Sequence, residues 1–185
     1  LELFERFGLE ELKMGVQRQF LTSVEDKIPD KRILIKQLIA NSRYHEAIEF
    51  VKSILQILPN DIPSLENMTF LGSKTKQNEL VIGSGKKLIE LHASSLSICK
   101  RLTKAAIEAG DVDTILLSID ELSNHDVNFS ETLRNAYSIA LMKGDESAII
   151  KLESYSKSGL QQLDLLVTKK IHQGQYSEAT RLIDE

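Results

Sequence analysis

Residues 30–60 read DKRILIKQLIANSRYHEAIEFVKSILQILPN, and the fold of the chain follows from how this stretch divides. Leu34, Leu38 and Ile39 are the core candidates of a first helix, with Asp30 placed to cap it and Asn41-Ser42 to interrupt it. A second amphipathic run carries Ala47, Ile48, Val51, Ile54, Leu55 and Leu58 at helical spacing and stops at Pro59. Two helices joined by two or three residues must lie antiparallel, so the stretch is a helical hairpin.

The same punctuation extends in both directions. Upstream, Leu12, Val16, Phe20 and Val24 recur every four residues, which predicts a helix over 9–24 closed by Ile28-Pro29. Downstream, Asp61-Ile62-Pro63 begins a short helix through Leu65 and Met68, with Gly72 as its stop. Residues 72–87 are the least regular part and read as a loop with a short helix around 78–82. Leu88, Leu91, Ser95, Ile98, Leu102 and Ala105 then form the longest helical stripe, over 86–109, ended by Gly110. Asp111 caps a run with Ile115, Leu116, Ile119 and Leu122. Asn128 with Glu131 forms a capping box for a helix carrying Leu133, Ala136, Tyr137, Ala140 and Leu141. Gly144-Asp145 breaks and recaps the chain, Gly159 ends the helix holding Ile149, Leu152 and Tyr155, and Gly174-Gln175 turns into a last helix from Tyr176. The expected fold class is all-α, an up-down array of about ten helices. Residues 1–28 form an N-terminal helical segment and 29–185 the array.

Composition agrees. Nine glycines and three prolines in 185 residues leave too few turns for a β-sandwich or barrel, and 42% hydrophobic residues can support a core. The single cysteine, Cys99, allows no intrachain disulfide, so the chain reads as intracellular, with the cytoplasm as the expected compartment. A formal charge of −4 offers no global basic field for phosphate backbones, and no apolar run is long enough to span a membrane.

A period underlies the pattern. Gly110-Asp111 and Gly144-Asp145 stand 34 residues apart, and two further periods back from Gly110 fall on Ser42; the intermediate station, Lys76, lies in the irregular stretch. The step from Gly144 to Gly174 is 30. The run Tyr44-His45-Glu46-Ala47, ending in Leu58-Pro59-Asn60, resembles the second helix and exit of a tetratricopeptide repeat, as does Gly174-Gln175-Tyr176-Ser177-Glu178-Ala179. The resemblance implies that Ala47 and Ala179 let the helices of a hairpin approach closely and that each tyrosine wedges its turn. Ile115 and Ile149 stand where that family prefers alanine, which leaves a generic α-solenoid, HEAT-like, as the alternative.

Chemistry-bearing patterns are few. Gly83-Ser84-Gly85-Lys86-Lys87 lacks the leading glycine and following hydroxyl of a Walker loop, with Leu80 and Lys87 in those places. His45, His92, His125 and His172 are isolated, Cys99 sits beside an apolar stripe, and no metal site, cofactor or catalytic residue is expected. The resemblance implies that the first helix of each hairpin lines a groove. It places Lys100, Arg101, Lys104 and Ile107 on one lining helix and Arg134, Asn135, Ser138 and Leu141 on the next. Lys100, Arg101 and Lys104 share a helical face by spacing alone. Such a groove can hold an acidic peptide or a C-terminal carboxylate through charge-assisted hydrogen bonds.

The expected function is therefore a non-catalytic protein-interaction scaffold whose partner is a protein or peptide, and a second copy of the chain is a further possible partner. With no initiator methionine and an end inside a helical pattern, the chain also reads as a fragment. The alternative is thus a regulatory or assembly module of a larger enzyme, docking on other domains of the same chain. An RNA-binding repeat ranks third, because the chain is acidic and has only ten aromatic residues.

Overall fold

The computed structural model describes residues 28–123, 129–156 and 159–184, together with Gly15. It is all-α, consistent with a helical-hairpin array, and among the described residues it holds ten helices and no strand. They are α1 (Ile28–Ala40), α2 (Tyr44–Ile57), α3 (Ile62–Thr75), α4 (Asn78–Glu90), α5 (Leu96–Ala109), α6 (Val112–Ser123), α7 (Ser130–Lys143), α8 (Glu146–Ser154), α9 (Gly159–His172) and α10 (Tyr176–Asp184). Consecutive helices pack on one another from α1 through α8, and α9 packs on α7 and α10. The helix predicted over 9–24 lies outside the described residues, Gly15 apart.

Each hairpin turns on one left-handed residue. Ser42 (φ 57°), Lys76 (φ 56°), Gly110 (φ 65°) and Gly144 (φ 65°) close the four turns from α1–α2 to α7–α8, and Gly174 (φ 72°) closes α9–α10. The first four are spaced by 34 residues throughout, so Lys76 keeps the period that its sequence surroundings conceal. The next residue then donates its backbone N–H back into the finished helix: Arg43 to Leu38 O, Gln77 to Gly72 O, Asp111 to Ala106 O and Asp145 to Ala140 O, all at 2.8–3.0 Å. These bonds satisfy carbonyls that a helix end would otherwise leave orphaned. Asp61, Asp111 and Asp145 cap the helices that follow, each accepting from the backbone N–H three residues on.

The stretch 72–87 departs from expectation. Gly72 does not stop a helix; it sits inside α3, which runs to Thr75, and α4 is continuous from Asn78 to Glu90. The glycine serves packing, because a Cβ there would lie 2.9 Å from Val81 Cγ2 and 3.2 Å from Gln77 O. Gly85 likewise abuts Leu102, with a Cβ 3.0 Å from Leu102 Cδ1. Thr69 and Ser84, both buried, meet hydroxyl to hydroxyl at 2.8 Å across α3 and α4. Small residues thus bring these helices together where periodicity alone reads as irregular. The Gly83-Ser84-Gly85 run is helical and forms no phosphate loop.

Other boundaries also move. The stripe over 86–109 is two helices, broken at 91–95 where His92 adopts φ 52°; Leu88 and Ile98 on either side of the break join one core cluster with Leu65. Gly159 begins α9 rather than ending α8, which stops at Ser154. Ile28 opens α1, so Pro29 and Asp30 lie in its first turn. Asn128 lies outside the described residues, and Phe129 holds the cap position of α7 without a side-chain bond.

The core is distributed along the array. One cluster joins α1, α2 and α3 through Leu34, Ile48, Val51, Ile54 and Leu71. Another runs from α5 to α9 through Ala106, Ile115, Ile119, Tyr137, Leu152 and Leu165. Contacts between near neighbours, without a single central core, are the property of repeat stacks.

Candidate functional site

The odd-numbered helices form the layer that matters for the candidate residues. Besides packing on its hairpin partner, α3 touches α5, α5 touches α7, and α7 touches α9. The first helices of successive hairpins therefore stand side by side, and their outward residues bound shared clefts. All eight sequence-predicted groove residues lie on α5 and α7 of this layer.

Between α5 and α7 is a cleft of about 370 Å³ that includes Lys100, Thr103, Lys104, Ile107, Glu108, Leu122, Glu131 and Asn135 in its walls. Four of the eight predicted residues meet here: Lys100, Lys104, Ile107 and Asn135. Ile107, Leu122 and Phe129 give it apolar walls, and Glu108 and Glu131 match the two lysines in number, so its charge is balanced.

The other predicted residues turn elsewhere. Arg134 reaches α9, with Nη1 3.5 Å from Asp164 Oδ1, and Ser138 Oγ lies 2.8 Å from His172 Nε2. Leu141 packs on the α5–α9 core. Arg101 points to the opposite side of α5.

That side holds a second cleft of about 340 Å³, bounded by Ser73, Lys76, Asn78, Val81, Arg101, Lys104, Ala105 and Glu108. Three cations face one carboxylate, and the ion pair among these described residues is Lys104 Nζ to Glu108 Oε1 at 4.0 Å, a weak contact on exposed side chains. Lys76 and Arg101 make no ion pair among the described residues. The Arg101 guanidinium carbon lies 5.6 Å from the centroid of the Phe70 ring, and Lys74 Nζ lies at the same distance. Phe70 in turn meets Tyr44 edge-on, with centroids 6.3 Å apart. The aromatic contact restrains the arginine and leaves its N–H edge available.

Sequence reading missed Lys76, Lys74 and Phe70 because they lie in or beside the stretch that looked irregular. The one signal for Lys76 was the 34-residue count that lands on it. Tyr44 is half-buried against the α1–α3 core, whereas Tyr176 is 66% exposed.

Cys99 is fully buried, and burial pushes its thiol above the ordinary range, so little thiolate forms at neutral pH. Among the described residues no three His, Cys, Asp or Glu side chains gather as a metal site, and no helix is long and apolar enough to cross a membrane. No protein-family model matches the chain, and no curated protein matches it.

Proposed function

We propose that the chain is a tetratricopeptide-like repeat array acting as a non-catalytic interaction scaffold, with the α3–α5–α7–α9 layer as the surface that receives a partner segment. The observation that carries this reading is the side-by-side stacking of the odd-numbered helices, with two adjacent clefts that share Lys104. In repeat stacks such a layer is the extended binding surface. The 34-residue recurrence of left-handed turns and the buried Ala47 and Ala179 support the family likeness.

The partner proposed is an acidic peptide segment. Lys100 and Lys104 supply charge, Asn135 a hydrogen-bonding amide, and Ile107 apolar contact. The test is fluorescence anisotropy with a labelled oligo-glutamate peptide across ionic strengths. Lys100→Ala and Lys104→Ala should each weaken binding and flatten its salt dependence, and Arg134→Ala, engaged with Asp164, should do so less. If both lysine variants bind as the unmodified chain does, the groove assignment is wrong.

A second reading, docking on another domain or another copy, has its own observation. Leu160, Tyr176 and Ile183 of the last hairpin are each more than half exposed. Light scattering of the chain against a Tyr176→Ser, Ile183→Ser variant tests it, since self-association through this face should fall.

A further inference from the structure

We infer that the cleft between the α3–α4 turn and α5 is a binding site for a phosphate monoester dianion carried on a phosphorylated side chain of the partner segment. This rests on the reading of the odd-helix layer as the binding surface, and it gives that surface a specific anchoring point.

The first argument is charge. Lys76, Arg101 and Lys104 stand against Glu108 alone, so the cleft carries two net positive charges, where its neighbour across α5 carries none. A carboxylate neutralises half of that; a phosphate monoester near pH 7 carries between one and a half and two negative charges. The second is donor geometry. The Phe70 ring restrains the Arg101 guanidinium, whose planar fork suits two phosphate oxygens, while Lys76 and Lys104 offer rotatable ammonium donors. Ser73 adds a hydroxyl and Asn78 an amide at the same wall. Asn78 is also the first residue of α4, a helix without a side-chain cap, and Glu79 in the same turn already offsets its positive end, so the cleft's field comes from its three side-chain cations.

The third is the backbone at Lys76. In three of the five hairpin turns the left-handed position is glycine, the residue that adopts it without strain. At this turn the chain carries a lysine that makes no ion pair among the described residues and lines the cleft. Its long cation serves the cleft rather than the turn.

The experiment is a titration of the isotope-labelled chain by two-dimensional NMR with three small probes at constant ionic strength: N-acetyl-O-phosphoserine amide, acetate and dimethyl phosphate. The expected result is saturable shifts confined to amides of residues 73–79 and 101–105, with phosphoserine bound more tightly than either monoanion by a factor on the order of five. Lys76→Gly and Arg101→Gln should each lose that preference, and the glycine variant keeps the turn because it favours the left-handed backbone. Arg101→Lys should retain charge but bind more weakly than the parent. Equal affinity for acetate overturns the dianion assignment and leaves the acidic-peptide reading standing. Equal affinity for dimethyl phosphate overturns it in favour of a nucleic-acid backbone. Absence of saturable shifts in these two segments overturns the site itself. Oligo-glutamate binding that survives in Lys76→Gly but fails in Lys100→Ala then keeps the groove proposal independent of this one.

Discussion

Replacing Lys76 by glycine should stabilise the protein. An L-residue with a left-handed backbone carries strain of about 1–2 kcal/mol, which glycine does not. Glycine gives back about 0.4–1 kcal/mol through the greater freedom of its unfolded chain. Lys76 makes no ion pair among the described residues and its backbone N–H bonds to Gly72 O whichever side chain it bears, so nothing else is lost. The net expectation is a gain of about 0.5–1 kcal/mol, which at a urea dependence of about 2 kcal/mol/M moves the unfolding midpoint up by about 0.3–0.5 M. The reciprocal change is Gly144→Ala. No atom stands within 4 Å of a Cβ there, so any loss is backbone strain alone, and it should be about 1 kcal/mol. Gly159→Ala is the control: it too meets nothing, but its φ is not left-handed, and it should be neutral or slightly stabilising. Because repeat stacks can unfold in segments, urea curves should be paired with amide hydrogen exchange at 73–83 and 141–149. If Lys76→Gly lowers the midpoint, or Gly144→Ala leaves it unmoved, the shared left-handed register of the turns is refuted.

Gly72→Ala should destabilise by about 1 kcal/mol, the net of overpacking against Val81 at about 1–3 kcal/mol and a helix-propensity gain of about 1 kcal/mol, and Val81→Ala in the same chain should recover part of the overpacking loss; urea unfolding of the single and double variants measures both. Asp61→Ala should cost about 1–2 kcal/mol, since it removes the cap on Ser64 N–H and the 2.6 Å pair with Arg32, whereas Asp61→Asn should keep most of the cap; thermal unfolding at low and high salt separates the two parts. Tyr137 and Tyr155 have phenol pKa values raised above the ordinary value near 10, by burial first and then by hydrogen bonds to Glu153 and Asp120. The neutral phenol is the form the folded state favours, so this contribution is complete below about pH 10 and is lost as pH rises from there through the folded values. Stability should therefore fall above about pH 10, and a Tyr137→Phe, Tyr155→Phe chain should show a shallower alkaline decline in a pH series of urea midpoints.

Helical periodicity, the scarcity of turn residues and the glycine-aspartate pairs are local signals, and they suffice for an all-α array with hairpins at Ser42, Gly110, Gly144 and Gly174. Local rules also placed Asp111 as a cap and Cys99 in the interior, because a cap acts within one helical turn and an apolar stripe must find cover. They failed where a residue's role depends on its neighbour in space. Gly72 looks like a stop until Val81 is packed against it, and the stripe over 86–109 looks like one helix until Leu88 and Ile98 are folded toward the same core. The candidate groove divides the same way. Helical spacing put Lys100, Arg101 and Lys104 on one face, but their separation into a charge-balanced cleft and a cationic one comes from what α3, α4 and α7 bring to either side of α5. Charge along a helix is written in the sequence; the field in a cleft is a sum over elements that only packing makes adjacent.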